Sequence, residues 1–138
     1  MDEGLIQVLA TTTRIACLRM NATRLKALHD SVDHASCLPA RPAWEHKVAA
    51  HAEIFDLLAE VSDGPVADRV LIGAARSMQG LMLSVGPAAD GMVVSSRRRL
   101  LGCLRAGDAD GAALEMEYHL RALHFMWRLA RPSRGVPA

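Results

Sequence analysis

The stretch Ser96-Arg-Arg-Arg-Leu-Leu-Gly-Cys-Leu-Arg-Ala-Gly-Asp-Ala-Asp-Gly-Ala-Ala-Leu-Glu-Met-Glu-Tyr-His119-Leu120 divides at Ala106-Gly107-Asp108 into two segments of helical period. Ahead of the break, Val93, Arg97, Leu100 and Leu104 recur at spacings of three and four, the rhythm of one helix face. Behind it, Ala112, Met116, His119, Leu123 and Met126 keep the same rhythm. Glycine reaches the left-handed conformation that ends a helix without steric penalty, and the aspartate after it is placed to cap the next one. Two helices joined by so short a connection run antiparallel with their apolar rows facing each other.

Working outward, comparable punctuation falls at Pro39 and Pro42, at Ser62-Asp63-Gly64-Pro65, at Gly86-Pro87 and from Pro132 onward. The intervals predict helices from about Asp2 to Arg19, from Thr23 (its hydroxyl capping the Lys26 N–H) to about Ala35, and from Ala43 to just before Gly64. Two more follow, one opened by Pro65 and carrying Val66, Val70, Ile72, Met78, Leu81 and Val85, the next running from Ala88 to Ala106 with an irregularity at Gly91. The last is capped by Asp108 and runs to about Arg131. No strand-like alternation and no internal repeat interrupt this pattern. The expected fold is all-α, an antiparallel bundle of about six helices over residues 1–131, with a flexible C-terminal tail over 132–138.

Composition agrees with helices packed on helices. Of the 138 residues 51% are hydrophobic but only 4% aromatic, so the core must be built from aliphatic side chains and methionine. The length suits one domain. Sixteen basic against fifteen acidic residues leave a formal charge of +1, which provides no global field for gripping a phosphate backbone. Cys17, Cys37 and Cys103 are odd in number, lack CxxC spacing and follow no secretory signal, which points to a reducing, cytoplasmic setting. The longest uncharged stretch, Ser77 to Ala89, is 13 residues and is broken by glycines and a proline, too short to span a bilayer.

Ionisable residues interrupt the apolar rows of three helices. Trp44, Val48, His51, Phe55 and Leu58 form one face with an imidazole at its centre, and Lys47 lies one turn before that imidazole. Arg97 and His119 occupy equivalent places in the two helices around Gly107, whereas Arg98 and Arg99 fall off the stripe. Each alone has an ordinary explanation: a satisfied core histidine, or a long cation at a stripe boundary beside a carboxylate such as Glu115. Together, Lys47, His51, Arg97 and His119 are most easily accommodated around a shared polar cavity holding an anion or a metal. His29, His34, His46 and His124 are expected at the surface. No GxSxG, P-loop, HExxH or CxxC motif and no inward pair of carboxylates is present, so no enzyme activity is expected.

The segment His51-Ala-Glu-Ile-Phe-Asp-Leu-Leu-Ala-Glu, together with the block from Ser96 to Leu120, resembles the FCD domain, the all-helical effector-sensing domain of GntR-type transcriptional regulators. The block shares that family's hinge, a helix ending in a Gly-Asp turn followed by a helix bearing a His-Leu pair. The resemblance covers most of the chain. It implies a homodimer, with DNA reached only through a winged helix-turn-helix domain that the 138 residues do not contain. Either a truncated effector domain or a stand-alone one fits this.

In many members of the family the bundle holds a divalent metal through an Asp, a His four residues later, a His before the hinge and a His in the last helix. The matching positions here are Lys47, His51, Arg97 and His119, so two ligands are replaced by cations. Zinc or nickel is disfavoured by Lys47 and Arg97, and only His51 and His119 remain to bind a metal. The resemblance therefore points to a metal-free site in which Lys47 and Arg97 supply the charge and the imidazoles hydrogen bonds for a small acidic effector. The alternative is a vestigial helical module that serves dimerisation or interaction and binds no ligand. The fourth helix, with Gly73 and Gly80 near one face, is a candidate for the dimer contact.

Overall fold

A computed structural model describes residues 3–130, and within them the chain forms α1 (Glu3–Leu18), α2 (Ala22–Cys37), α3 (Trp44–Ser62), α4 (Pro65–Val85), α5 (Asp90–Ala106) and α6 (Ala109–Ala130). A single 3-10 turn, Pro87–Ala89, leads into α5. This is the all-α bundle expected, without strands among the described residues. The tail expected over 132–138 lies outside them.

Helix ends follow local chemistry, with two departures from expectation. The cap of α2 is Asn21, whose extended backbone lets its side chain accept a 2.9 Å hydrogen bond from the Arg24 N–H. Thr23 is already inside the helix, so its hydroxyl is not in the capping position. Helix α3 ends before Gly64, as expected, and leaves through Asp63 at φ 48°, while the Gly64 backbone is extended. Before α5, Pro87 and the Ala89 N–H···O=C Gly86 bond of 3.0 Å wind the chain as a 3-10 turn, so the α-helix begins at Asp90 and Gly91 sits regularly within it. The hinge is as expected: Gly107, at φ 67°, ends α5, and the Asp108 carboxylate accepts from the Gly111 N–H at 2.9 Å. A Cβ on Gly111 would stand 2.2 Å from that carboxylate, so the glycine keeps the cap in place.

Helix α6 packs against α1, α4 and α5, while α3 packs against α4 and α2. Leu9, Leu28, Phe55, Leu58, Leu71, Met78, Met82, Leu100, Met116 and Leu120 are buried where these helices meet. Each such side chain contributes roughly 1.5–3 kcal/mol by leaving water. Trp44 Nε1 donates to the Met82 carbonyl at 2.8 Å, tying the start of α3 to the end of α4. The outer seam of α1 and α6 carries Arg121 with Glu3 and Glu117, and Arg14 with Asp110, exposed pairs that contribute little stability. Helix α2 packs chiefly on α3 and α5 and buries only Leu28, Ser31, Val32 and Ala35. It covers the polar centre described next.

Candidate functional site

All four residues singled out from the sequence are buried: Lys47 and His51 on α3, Arg97 on α5 and His119 on α6, each at most 2% exposed. The surface assignments of His29, His34 and His46 hold, but His124 is half-buried and stacked on Trp127 at 5.5 Å. The two lie three residues apart, within reach along one helix face.

Lys47 lies at the end of α2. Its ammonium donates to the carbonyls of Leu38 at 2.5 Å and Ser36 at 3.3 Å, satisfying backbone acceptors that a helix C-terminus leaves free. The same ammonium is 3.1 Å from Asp90 Oδ1, and His51 Nε2, one turn along α3, is 3.3 Å from that oxygen. Asp90 is the first residue of α5, where a carboxylate also suits the helix dipole. Its side chain keeps some solvent contact, at 23%. Asp90 thus joins two of the expected residues, although the sequence reading had not included it. Its signal was the α5 stripe itself, since 90, 93, 97, 100 and 104 continue the spacing one turn further back.

Arg97 is differently placed. Its Nη2 donates to the His51 carbonyl at 3.3 Å, its guanidinium carbon is 5.4 Å from the centre of the Phe55 ring, and its Nε has no partner. Among the described residues no carboxylate forms an ion pair with it. Glu115, the acidic neighbour anticipated from the sequence, instead accepts from Ser96 Oγ at 2.8 Å and from Arg99 Nε at 2.6 Å. Burial pushes the Arg97 pKa down to about 10, so the group remains a cation at neutral pH. His119 is fully buried with neither ring nitrogen bonded.

Both imidazoles are held neutral. Burial, followed by the charge of Arg97, lowers His51 to about 4 against the raising effect of Asp90. Burial and then Arg97 hold His119 well below the ordinary histidine range. The permanent charges of the centre are therefore Lys47, Arg97 and Asp90, one positive in sum. The gap lined by Ser31, Val32, Ala35, His51, Ile54 and Arg97, between α2, α3 and α5, is too small to admit a water molecule. Open grooves of about 350 Å³ lie elsewhere, one of them between α4 and α6 beside Gly80 and Trp127. Among the described residues no three His, Cys, Asp or Glu side chains are grouped to hold a metal ion, and no helix is long and apolar enough to cross a membrane.

The described residues thus form an all-helical bundle with ionisable side chains converging inside it. The FCD domain family model matches residues 7–122, from the first turns of α1 into α6, and the chain belongs to that family. The FCD domain is the effector-binding, regulatory domain of GntR-family regulators. Neither curated proteins nor solved structures give a match.

Proposed function

We propose that this chain is the sensing domain of a GntR-type regulator and binds a small carboxylate-type effector among Lys47, His51, Arg97 and His119 without a metal. The observation that carries this reading is Arg97, a buried cation with an unbonded Nε and no carboxylate partner among the described residues, in a centre that also holds an unbonded imidazole. Burying such a group is costly unless a counter-charge arrives, and a carboxylate meets a guanidinium with two parallel hydrogen bonds. Lys47 and His51 already share Asp90, so Arg97 and His119 are the groups with bonding capacity to offer.

A divalent metal does not fit this donor set. Two of the positions that hold the family's metal are an ammonium and a guanidinium, whose charges oppose a second cation, and His51 Nε2 faces Asp90. Effector entry requires α2 to separate from α3 and α5, because the gap between them is closed. Helix α2 suits that movement, with a narrow buried face and its C-terminus held by Lys47. DNA contact in this reading belongs to a winged-helix domain and not to residues 3–130.

Calorimetry and thermal-shift measurements with acetate, butyrate and benzoate test the proposal, with and without chelator. The expected result is stabilisation that chelator does not alter and that Arg97→Met removes. Tight zinc or nickel binding abolished by His51→Ala would overturn the metal-free assignment.

The closed gap favours a second reading, a bundle that serves dimerisation alone. The exposed α4 residues Val66, Ile72 and Leu83 provide apolar surface for a second copy. Under that reading no carboxylate stabilises the protein and sedimentation shows a dimer that point changes on α4 weaken.

A further inference from the structure

Resting on the carboxylate reading above, we infer that Asp90 sets the charge of the ligand, restricting the centre to a monoanion such as a monocarboxylate and excluding dianions. Two cations, Lys47 and Arg97, are buried together, and Asp90 is the carboxylate that meets one of them, at 3.1 Å. His51, at 3.3 Å from the same oxygen, is drawn to Asp90 as well. Among the described residues, the Arg97 guanidinium is left without a counter-charge. One negative charge brought to Arg97 leaves the buried centre neutral.

A second negative charge has no such partner. It would enter the buried centre beside Arg97, near a carboxylate that already occupies Lys47 and His51 and is itself only partly exposed, and like charges in that setting repel. The discrimination is therefore built from a repulsive group as much as from an attractive one. The position of Asp90 makes this a fixed property of the fold. It is the first residue of α5, set by the 3-10 turn before it, and it lies two turns from Arg97 on the same helix face.

The test compares butyrate with succinate by calorimetry on the 138-residue chain, as wild type, Asp90→Asn, and the double variant Lys47→Met/Asp90→Asn. The wild type should bind butyrate at least about tenfold more tightly than succinate. Asp90→Asn keeps the shape of the side chain and raises the charge of the centre by one, so the preference should shift toward succinate by about tenfold. The double variant returns the charge to its original value and should restore the preference for butyrate although Asp90 is gone. Should Asp90→Asn fail to fold, Lys47→Met alone, which leaves the Asp90 carboxylate without its ammonium and lowers the charge of the centre by one, should widen the preference for butyrate, and a ratio unmoved by that change would overturn the assignment to Asp90. Equal or tighter succinate binding by the wild type, or a butyrate-to-succinate ratio unmoved by Asp90→Asn, would overturn the assignment to Asp90 while leaving carboxylate sensing intact. Absence of binding by either acid to the wild type would overturn the carboxylate reading itself.

Discussion

Asp90 Oδ1, at the first residue of α5, lies 3.1 Å from Lys47 Nζ on α3, inside a bundle whose other inward cation, Arg97, has no such partner among the described residues. Lys47 is buried and Asp90 partly so, and removing Asp90 leaves the buried ammonium without its counter-charge. Lys47 keeps its bonds to the Ser36 and Leu38 carbonyls, which moderates the loss. Asp90→Ala is expected to destabilise the fold by about 2–3 kcal/mol in urea denaturation. The coupling between Asp90→Ala and Lys47→Met in a double-mutant cycle should exceed about 1 kcal/mol. Additive effects would show that the pair contributes nothing beyond packing.

The buried imidazoles make stability fall with acid. His51 titrates near 6.5 when unfolded but only at about 4 when folded, so between those values the unfolded chain binds a proton that the folded chain refuses. Stability from this group is complete above about pH 6.5 and declines as pH falls toward 4, by about 3 kcal/mol in all. His119, lowered in the same direction by burial and Arg97, adds to the decline. Urea denaturation at pH 7.5 and pH 5 should show the difference, and His51→Gln should reduce it. Equal stability at the two pH values would contradict the burial of these rings.

The bundle was legible because helix periodicity and its punctuation are local. Gly107 and Asp108 behave in the structure as their residue types require, and the inward places of His51, Arg97 and His119 follow from spacing alone. Where two residues compete for one local role, the choice was less visible. Asn21 outcompetes Thr23 as a cap. Asp90 was hidden for a different reason. An acidic residue in the first turn of a helix has an ordinary role beside the helix dipole, and its contact with Lys47 depends on how α3 and α5 pack, which no local pattern records. The same holds for Glu115, which pairs with Arg99 because of where α5 and α6 cross.

Gly73 and Gly80 lie exposed within α4, and a Cβ at either position would meet nothing within 4 Å. The close helix approach suggested by their spacing is therefore not made among the described residues. Without a packing role, each glycine weakens its helix by roughly 0.5–1 kcal/mol relative to alanine. Gly73→Ala and Gly80→Ala should each raise the melting temperature by a few degrees. If a second copy docks on this face, Gly80→Leu should in addition weaken association in sedimentation experiments while leaving the far-ultraviolet spectrum unchanged.

Asp63 offers a similar gain by a different route. Its φ of 48° places a side chain in the left-handed region, where glycine has no steric penalty. Its N–H bonds the Ala59 carbonyl at 3.0 Å, a contact that glycine preserves. Asp63→Gly should stabilise the protein by about 0.5–1 kcal/mol, a small figure because aspartate tolerates this conformation better than most residues. A loss of stability would mean that the Asp63 carboxylate makes a contribution its backbone position does not reveal.

Arg97 separates the sensing reading from the purely structural one. If it is retained to receive an anion, the ligand-free protein holds a desolvated charge with one hydrogen bond to the His51 carbonyl and a contact with Phe55. An unbranched apolar side chain of similar length would fill that space without the desolvation cost, as happens when buried ionic groups are replaced by well-packed hydrophobes. Arg97→Met should therefore raise the unfolding free energy by about 1–3 kcal/mol and at the same time remove the response to carboxylates. If Arg97 instead stabilises the bundle through Phe55 and His51, the substitution should destabilise it. Urea denaturation and a butyrate titration on the same variant distinguish the two, because only a binding residue yields stability gained together with ligand response lost.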